Sequence, residues 1–352
     1  MKALVYHGQR DVRYESVREP SDIGPCEIRI KVKYAGLCHT DFNEYLHGPL
    51  FIAQTPHPRT GRSIPIVIGH EFSGEVLEIG DKVHRIQVGD RVAVNAVDSC
   101  GHCIFCRRGT PALCSSVAYI GFARDGGFAE FTVVPEGCCF RLGPDMSFQA
   151  GALVEPLAVA LHAVRRARVR IGSRAAIVGG GAVGLCVLQA LRATGVRDVL
   201  VIDKVEAKEP FARRLGPSVF LNPSDPDLLR TVRELTEGTG VDVAFECVGS
   251  ASAMRMAVEV TSGGGTICVV GIFPGPFEFD LNSLLMQEKT IVTSLGYSDE
   301  FPTVIAMLAD GRLEAEPLIT RTVSLAEGVE IGLNRYEDAG VTNIRTLIGI
   351  ES

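Results

Sequence analysis

Ala175-Ala176-Ile177-Val178-Gly179-Gly180-Gly181-Ala182-Val183-Gly184 is the stretch on which the fold of this 352-residue chain turns. Four apolar residues predict a buried strand, and the apolar-periodic run that follows, AVGLCVLQALRAT, predicts a helix. The turn between them supplies G-x-G-x-x-G through Gly179, Gly181 and Gly184. Gly179 permits the tight turn, Gly181 lets backbone N–H groups approach a pyrophosphate, and Gly184 lets helix and strand pack closely; Ala182 and Val183 open the helix at its positive end. Taken alone, such a cluster is equally a plain strand-to-helix turn. Here the next strand, DVLVID, ends in Asp203, 19 residues beyond Gly184. That is close to the ~20-residue offset at which an acid accepts hydrogen bonds from an adenosine ribose. Asp203 is also an acceptable N-cap for the helix expected after it. A carboxylate there repels a 2′-phosphate and favours NAD over NADP, whereas Lys204 and Lys208 beside it work against that choice; Lys208 joins the candidate cofactor-contacting residues.

Outward from this turn the rhythm is strand, helix, strand: EAKEPFARRL reads as a helix, and VDVAFECVG and GGTICVVG as further strands. That pattern predicts a parallel sheet wrapped by helices. The first ~150 residues differ, with the β-rich runs IRIKVKYAG, FSGEVLEIG, DRVAVN and AEFTVVP separated by Gly, Pro and Asp, and read as a compact antiparallel β domain. From about Gly296 the βα repeat is lost, and the chain is expected to return to the first domain. The resulting division is 1–155 with 296–352, and 156–295. At 352 residues, two domains suit the usual domain size.

Composition narrows the function. A net charge of −7 offers no basic stripe for a phosphate backbone, which argues against nucleic acid as a partner. The opening MKALVYHGQRDVRY turns polar too soon for a signal peptide, and residues 175–188, the most apolar stretch, carry four glycines and fall short of a membrane span. A cytoplasmic protein is expected. Eleven cysteines in a reducing compartment are more often metal ligands than disulfides, and an odd count fits a disulfide framework poorly.

Four of those thiols, Cys100, Cys103, Cys106 and Cys114, fall within fifteen residues on a loop marked by Gly101 and Gly109. Four thiolates close a tetrahedral Zn²⁺ site and leave no position for substrate, so this site is expected to be structural. An iron–sulfur cluster or simply buried thiols are the competing readings, and a nucleic-acid zinc module fails for want of a recognition helix. Two more segments hold metal-capable residues, Cys38-His39-Thr40-Asp41 and Gly69-His70-Glu71. Each alone is more often ordinary packing. Glu155, in the apolar stretch LVEPL where the two expected domains join, needs a partner or a metal, unless it only serves a helix N-terminus ahead of Pro156.

Taken in order, GLCHTD, GHEFSGEV, GDRV, CGHCIFCRRGTPALC, GGFAE, ALVEPLAVALHAV and GGGAVG resemble the zinc-containing medium-chain dehydrogenases over nearly the whole chain. NEYLHGP, HPRTG and QEKTIVTSLGY are most similar to the 2,3-butanediol dehydrogenases of that family, with sorbitol dehydrogenases as near relatives. The resemblance implies an α/β architecture: a GroES-like β-rich catalytic domain plus a doubly wound Rossmann domain, with a catalytic zinc in the cleft between them. It implies two Zn²⁺ per chain and NAD. Cys38 and His70 would bind the catalytic ion, Glu71 or Glu155 would complete the shell directly or through water, and Asp41 would orient His70. The open fourth position would take the substrate oxygen and make the alcohol more acidic, so that hydride can leave its carbon for the nicotinamide. Thr40, otherwise a polar turn residue, would start a proton relay. A small-molecule alcohol or diol is the expected partner, and a homodimer or homotetramer formed through the cofactor domain the expected assembly.

The chain departs from the family pattern at His39, where relatives have glycine, and at Asn43, where they have histidine. An amide cannot shuttle a proton as imidazole does, so the relay either ends at water or uses His39 or His47. Oxidation of sorbitol or another polyol is the alternative activity, and a catalytically silent zinc- and NAD-binding scaffold the alternative from outside enzymology.

Overall fold

The computed structural model describes residues 1–196, 198–216, 219–334 and 343–350. The chain forms two compact units, one of Met1–Glu155, Tyr297–Gly311 and Ile319–Ser352, the other of Pro156–Gly296 with Arg312–Leu318.

In the first unit the strand Glu27–Leu37 organises the main sheet. Its alternation sets Ile28, Ile30 and Val32 in the core while Glu27, Arg29, Lys31 and Lys33 keep partial access to water. The sheet runs Cys139–Arg141, Arg91–Val94, Glu71–Ile79, Glu27–Leu37, Arg345–Gly349, Ile319–Ser324, and Phe131–Pro135 also pairs with Glu27–Leu37. Phe72, Val76, Val92, Val94 and Phe128 fill the space beneath it. Pairing is antiparallel, as the alternating runs lead one to expect, with one exception: Ile319–Ser324 and Arg345–Gly349 run parallel. Parallel neighbours need a long crossover connection, and no hairpin signal in the sequence announces one. The register sets Gly36 opposite both Glu71 and Leu347, with Thr346 opposite Leu37. Three stretches remote in sequence are thereby stacked at one end of the sheet.

The second unit is a six-stranded parallel sheet in the order Val219–Leu221, Val199–Ile202, Ala175–Val178, Val241–Glu246, Thr261–Val269, Thr290–Thr293. Numbered along the chain this is 3-2-1-4-5-6, the doubly wound arrangement whose ligand crevice opens where strand order reverses, beside Ala175–Val178. Its central strands are apolar throughout because they are covered on both faces. The stretch EAKEPFARRL is not one helix: a 3₁₀ turn, Glu206–Lys208, precedes a helix at Glu209–Arg214. Pro210, lacking an N–H, suits a first helical turn but not a helix interior, so the helix starts afresh around it. Arg312–Leu318 is tied to this unit by a reciprocal pair of hydrogen bonds, from the Glu314 N–H to Gln189 Oε1 (2.7 Å) and from Gln189 Nε2 to the Glu314 carbonyl (3.0 Å). Among the described residues, no helix is long and apolar enough to cross a membrane.

Candidate active site

Cys38 ends the strand Glu27–Leu37 and caps the helix His39–His47. Asp41, in that helix's first turn and buried, accepts the Cys38 N–H on Oδ2 at 3.0 Å and points Oδ1 at His70 Nδ1, 3.3 Å away. The second contact is too far off line to count as a hydrogen bond; it is a charge approach. Burial by itself lowers the His70 imidazole, yet the Asp41 carboxylate, with Cys38 alongside, outweighs it and holds the ring well above the ordinary histidine range. A cation requires the neutral ring, so a metal competes with that proton.

Glu71 lies next to His70 on the strand Glu71–Ile79, and its register partner Gly36 makes room for it. A Cβ on Gly36 would stand 2.2 Å from Glu71 Oε2. Buried Arg345 donates to Glu71 Oε1 (3.0 Å) and to the Leu37 carbonyl (3.1 Å). The other carboxylate oxygen, Oε2, is buried with no hydrogen-bond partner. Donor atoms of Cys38, His70 and Glu71 lie within 4.8 Å of one another. A thiolate, an imidazole and a carboxylate with an orphaned oxygen form a donor set that fits Zn²⁺ with one position to spare. Glu155 is not in that trio. It stands close enough to feel the Glu71 charge, and burial, with that repulsion added, pushes its carboxyl up to about 8. Thr40 Oγ1 lies 3.5 Å from Cys38 Sγ. Asn43 is half-buried, whereas His39 and His47 are exposed at the two ends of the helix, His39 resting on Phe42 with ring centroids 5.7 Å apart.

Three residues at this site escaped the sequence reading. Arg345 neutralises Glu71, Phe122 packs tilted against the His70 ring at 4.9 Å, and Tyr297 accepts the Ala96 N–H at 2.9 Å close enough to Glu155 to feel its charge. Only Tyr297 lies in a motif, QEKTIVTSLGY, and nothing in that motif announces its partner.

The thiol groups of Cys100, Cys103, Cys106 and Cys114 also lie within 4.8 Å of one another, a donor set fitting a closed zinc site. Their loop turns at Gly101 and Gly109, both in the left-handed region (φ +76° and +72°). Burial works to raise the Cys114 thiol, but N–H groups of Cys100 and Ser116 aimed at the sulfur outweigh it and bring it down to about 6, favouring the thiolate. Two residues before Cys100, buried Asp98 takes Arg59 at 2.7 Å and Arg124 at 3.2 Å, and Arg124 continues to Glu27 at 2.8 Å.

In the second unit Gly179 takes φ +106°, and a Cβ on Gly184 would fall 1.8 Å from the Gly179 carbonyl oxygen, whereas one on Gly181 would meet nothing within 4 Å. The turn is therefore tight where helix meets strand and open where an anion would approach, ahead of the Ala182 and Val183 N–H groups at the start of the helix Ala182–Ala193. Asp203 does not cap a helix: Val205 and Lys208 hold those positions. Its carboxylate instead accepts the Gly180 N–H (2.7 Å), the Val205 N–H (2.9 Å) and Lys208 Nζ (3.0 Å), binding the end of one strand to the glycine turn of the next.

Comparison with known proteins agrees over the whole length. Residues 24–144 match the alcohol dehydrogenase GroES-like domain, and residues 182–310 the zinc-binding dehydrogenase domain. The chain is 38% identical over 337 residues to the (R,R)-butanediol dehydrogenase of Bacillus subtilis, covering 94% of this chain and 95% of that one. It is 32% identical to the sorbitol dehydrogenase of the same organism, covering 93% and 91%. The crystal structure of 2R,3R-butanediol dehydrogenase from Bacillus subtilis superposes with a TM-score of 0.92 at 36% identity, covering 99% of each chain. Two solved neighbours, each 28% identical and covering 99% of both chains, carry nicotinamide cofactors: an Escherichia coli alcohol dehydrogenase with NADH (TM-score 0.88) and a Sinorhizobium meliloti zinc-binding dehydrogenase with NADP (TM-score 0.87). With a GroES-like unit, a doubly wound unit and this extent of identity, the chain belongs to the zinc-containing medium-chain dehydrogenases and is an alcohol or diol dehydrogenase that uses a nicotinamide cofactor.

Proposed function

We propose that this enzyme interconverts a vicinal diol of the 2,3-butanediol kind and its hydroxyketone, with NAD as cofactor. The observation that carries the reading is the trio Cys38, His70 and Glu71, whose donor atoms lie within 4.8 Å of one another, with one Glu71 oxygen buried and unpartnered. Those residues would hold the catalytic zinc, and Cys100, Cys103, Cys106 and Cys114 a structural one, two ions per chain. When bound, zinc supplies a Lewis acid that eases loss of the hydroxyl proton, and NAD supplies the hydride acceptor. Asp41 would orient the His70 ring by its charge beside Nδ1, Arg345 would hold Glu71, and Thr40, beside Cys38, would accept the substrate's hydroxyl proton while passing its own on to water. Glu155, apart from the trio, would reach the bound ion through water. Gly179, Gly181, Ala182, Val183 and Gly184 would cradle the pyrophosphate, with Asp203 and Lys208 at the adenosine ribose. NAD rather than NADP is favoured by the Asp203 carboxylate, although Lys208 offsets part of its charge.

Among the described residues the strand Thr290–Thr293 ends its sheet with one edge unpaired, and Leu281, Leu285, Met286, Ile291 and Leu295 are exposed. A second copy of the chain would cover that edge and make a homodimer, alone or as half of a tetramer. A reducing cytoplasm suits eleven free thiols.

The sorbitol dehydrogenase relative supports a second reading, oxidation of longer polyols. One purified preparation tests the set: zinc per chain, molar mass by light scattering, and kcat/KM for 2,3-butanediol stereoisomers, acetoin, sorbitol and threonine with NAD and NADP. Two zincs, a mass of at least two chains and a preference for the four-carbon diol are expected. A preference for sorbitol replaces the substrate assignment, one zinc removes the two-site assignment, and a mass of one chain removes the dimer.

A further inference from the structure

Glu44 is 1% exposed and makes no ion pair among the described residues, yet it carries three backbone hydrogen bonds from a single loop. The Leu50 and Ile52 N–H groups donate to Oε1 at 2.9 and 3.2 Å, and the Phe51 N–H donates to Oε2 at 3.0 Å. The Gly48 N–H closes on the Glu44 carbonyl at 2.9 Å, and a Cβ on Gly48 would fall 2.1 Å from that oxygen and 2.5 Å from Tyr6 Oη. A buried carboxylate wrapped by three consecutive N–H groups is a rigid clamp, since each bond is charge-assisted and the loop cannot move without stripping all three.

The clamped loop reaches the site. Ile52 is anchored in the core, while Leu50 and Phe51 stay 54% and 47% exposed. The Phe51 ring packs on Phe122 with centroids 5.9 Å apart, and Phe122 packs on His70 at 4.9 Å. Two large apolar side chains held out of the core, on a loop whose three N–H groups are bonded to one carboxylate, form a wall rather than a packing element. We propose that Glu44 is a positioning residue: through the Leu50–Ile52 backbone it sets Phe51 against Phe122, and so fixes the apolar wall beside His70 that favours short, alkyl-flanked alcohols over polyols. The inference rests on the proposed role of His70 at the catalytic metal.

The test is a double-mutant cycle on the zinc-loaded enzyme with Glu44→Gln, Phe51→Ala and the pair. In Glu44→Gln an amide NH₂ faces at least one of the three N–H groups, so the loop loses its clamp. Expected is a rise of about tenfold in KM for 2,3-butanediol with kcat within about twofold, zinc per chain unchanged and the 2,3-butanediol-to-sorbitol preference reduced. Phe51→Ala should reproduce this, and adding Glu44→Gln to it should change KM no further. Effects that multiply in the double variant, or a fall in kcat with KM unmoved, overturn the proposal. Should Glu44→Gln not fold, amide hydrogen exchange of the unaltered enzyme decides: Leu50, Phe51 and Ile52 must exchange at least about a hundredfold slower than free amides, and exchange at the free rate overturns the clamp. If the unaltered enzyme oxidises no secondary alcohol, the proposed activity fails, while the exchange measurement still judges the clamp by itself.

Discussion

Glu71 and Glu246 are both buried carboxylates with one oxygen satisfied and Oε2 without a partner, and both are pressed against a glycine. Glu246 ends a strand of the second unit; its Oε1 accepts the Val248 and Gly249 N–H groups at 2.9 and 2.8 Å, and a Cβ on Gly271 would stand 2.7 Å from Oε2. Glu71 has Arg345 on Oε1, and one of its carboxylate oxygens lies within 4.8 Å of the Cys38 and His70 donor atoms. Among the described residues Glu246 belongs to no such group of donors. An orphaned oxygen alone thus signals only a costly burial; a site needs other ligand atoms converging on the same point. Burial raises the Glu246 carboxyl, while the N–H groups around it pull the other way.

The largest expected effects come from breaking one donor set at a time. His70→Ala should lower kcat/KM by about a thousandfold or more and remove one zinc per chain, with little change in melting temperature, because a metal Lewis acid contributes several kcal/mol to the transition state. Cys103→Ser should do the reverse: it removes the other zinc and lowers the melting temperature, with a stability loss on the order of several kcal/mol, while the chemistry of correctly folded enzyme survives. Metal analysis, calorimetry and steady-state kinetics on the same two variants separate these outcomes. Equal loss of stability and rate in both would erase the distinction drawn between an open and a closed site.

How far the sequence could be read follows from the same contrast. The four cysteines and the glycine turn are local, so spacing alone reveals the donor set and the open face at Gly181. The trio Cys38, His70 and Glu71 became legible only through family resemblance, and Arg345, 274 residues from Glu71, not even then. What joins them is strand register, which places Gly36 between Glu71 and Leu347 and which no local pattern encodes. The parallel pairing of Ile319–Ser324 is illegible for the same reason, and so is Asp203's bond to Gly180, a contact across two strands.

Gly36 lets that register be tested. Gly36→Ala puts a methyl group 2.2 Å from Glu71 Oε2, a distance at which the carboxylate must swing away from Cys38 and His70. Moving one ligand while leaving its chemistry intact should cost about 10- to 100-fold in zinc affinity or activity, less than deleting a ligand. Unchanged zinc affinity and rate would show that Glu71 is not held by its neighbour across the sheet.

Glu246 supplies the smallest effect and the control. Its folded carboxyl binds a proton more tightly than the unfolded one, so between the two titrations the native state holds more protons. The stabilisation from that proton is complete below the ordinary glutamate range of about pH 4 and is lost as pH rises through the raised native value. Glu246→Gln keeps an acceptor for the Val248 and Gly249 N–H groups and cannot ionise. Its melting temperature should therefore fall less than that of the unaltered protein as pH is raised above about 4, with kcat at a fixed pH changed by less than about twofold. A parallel fall in both proteins would mean that Glu246 is ionised in the native state.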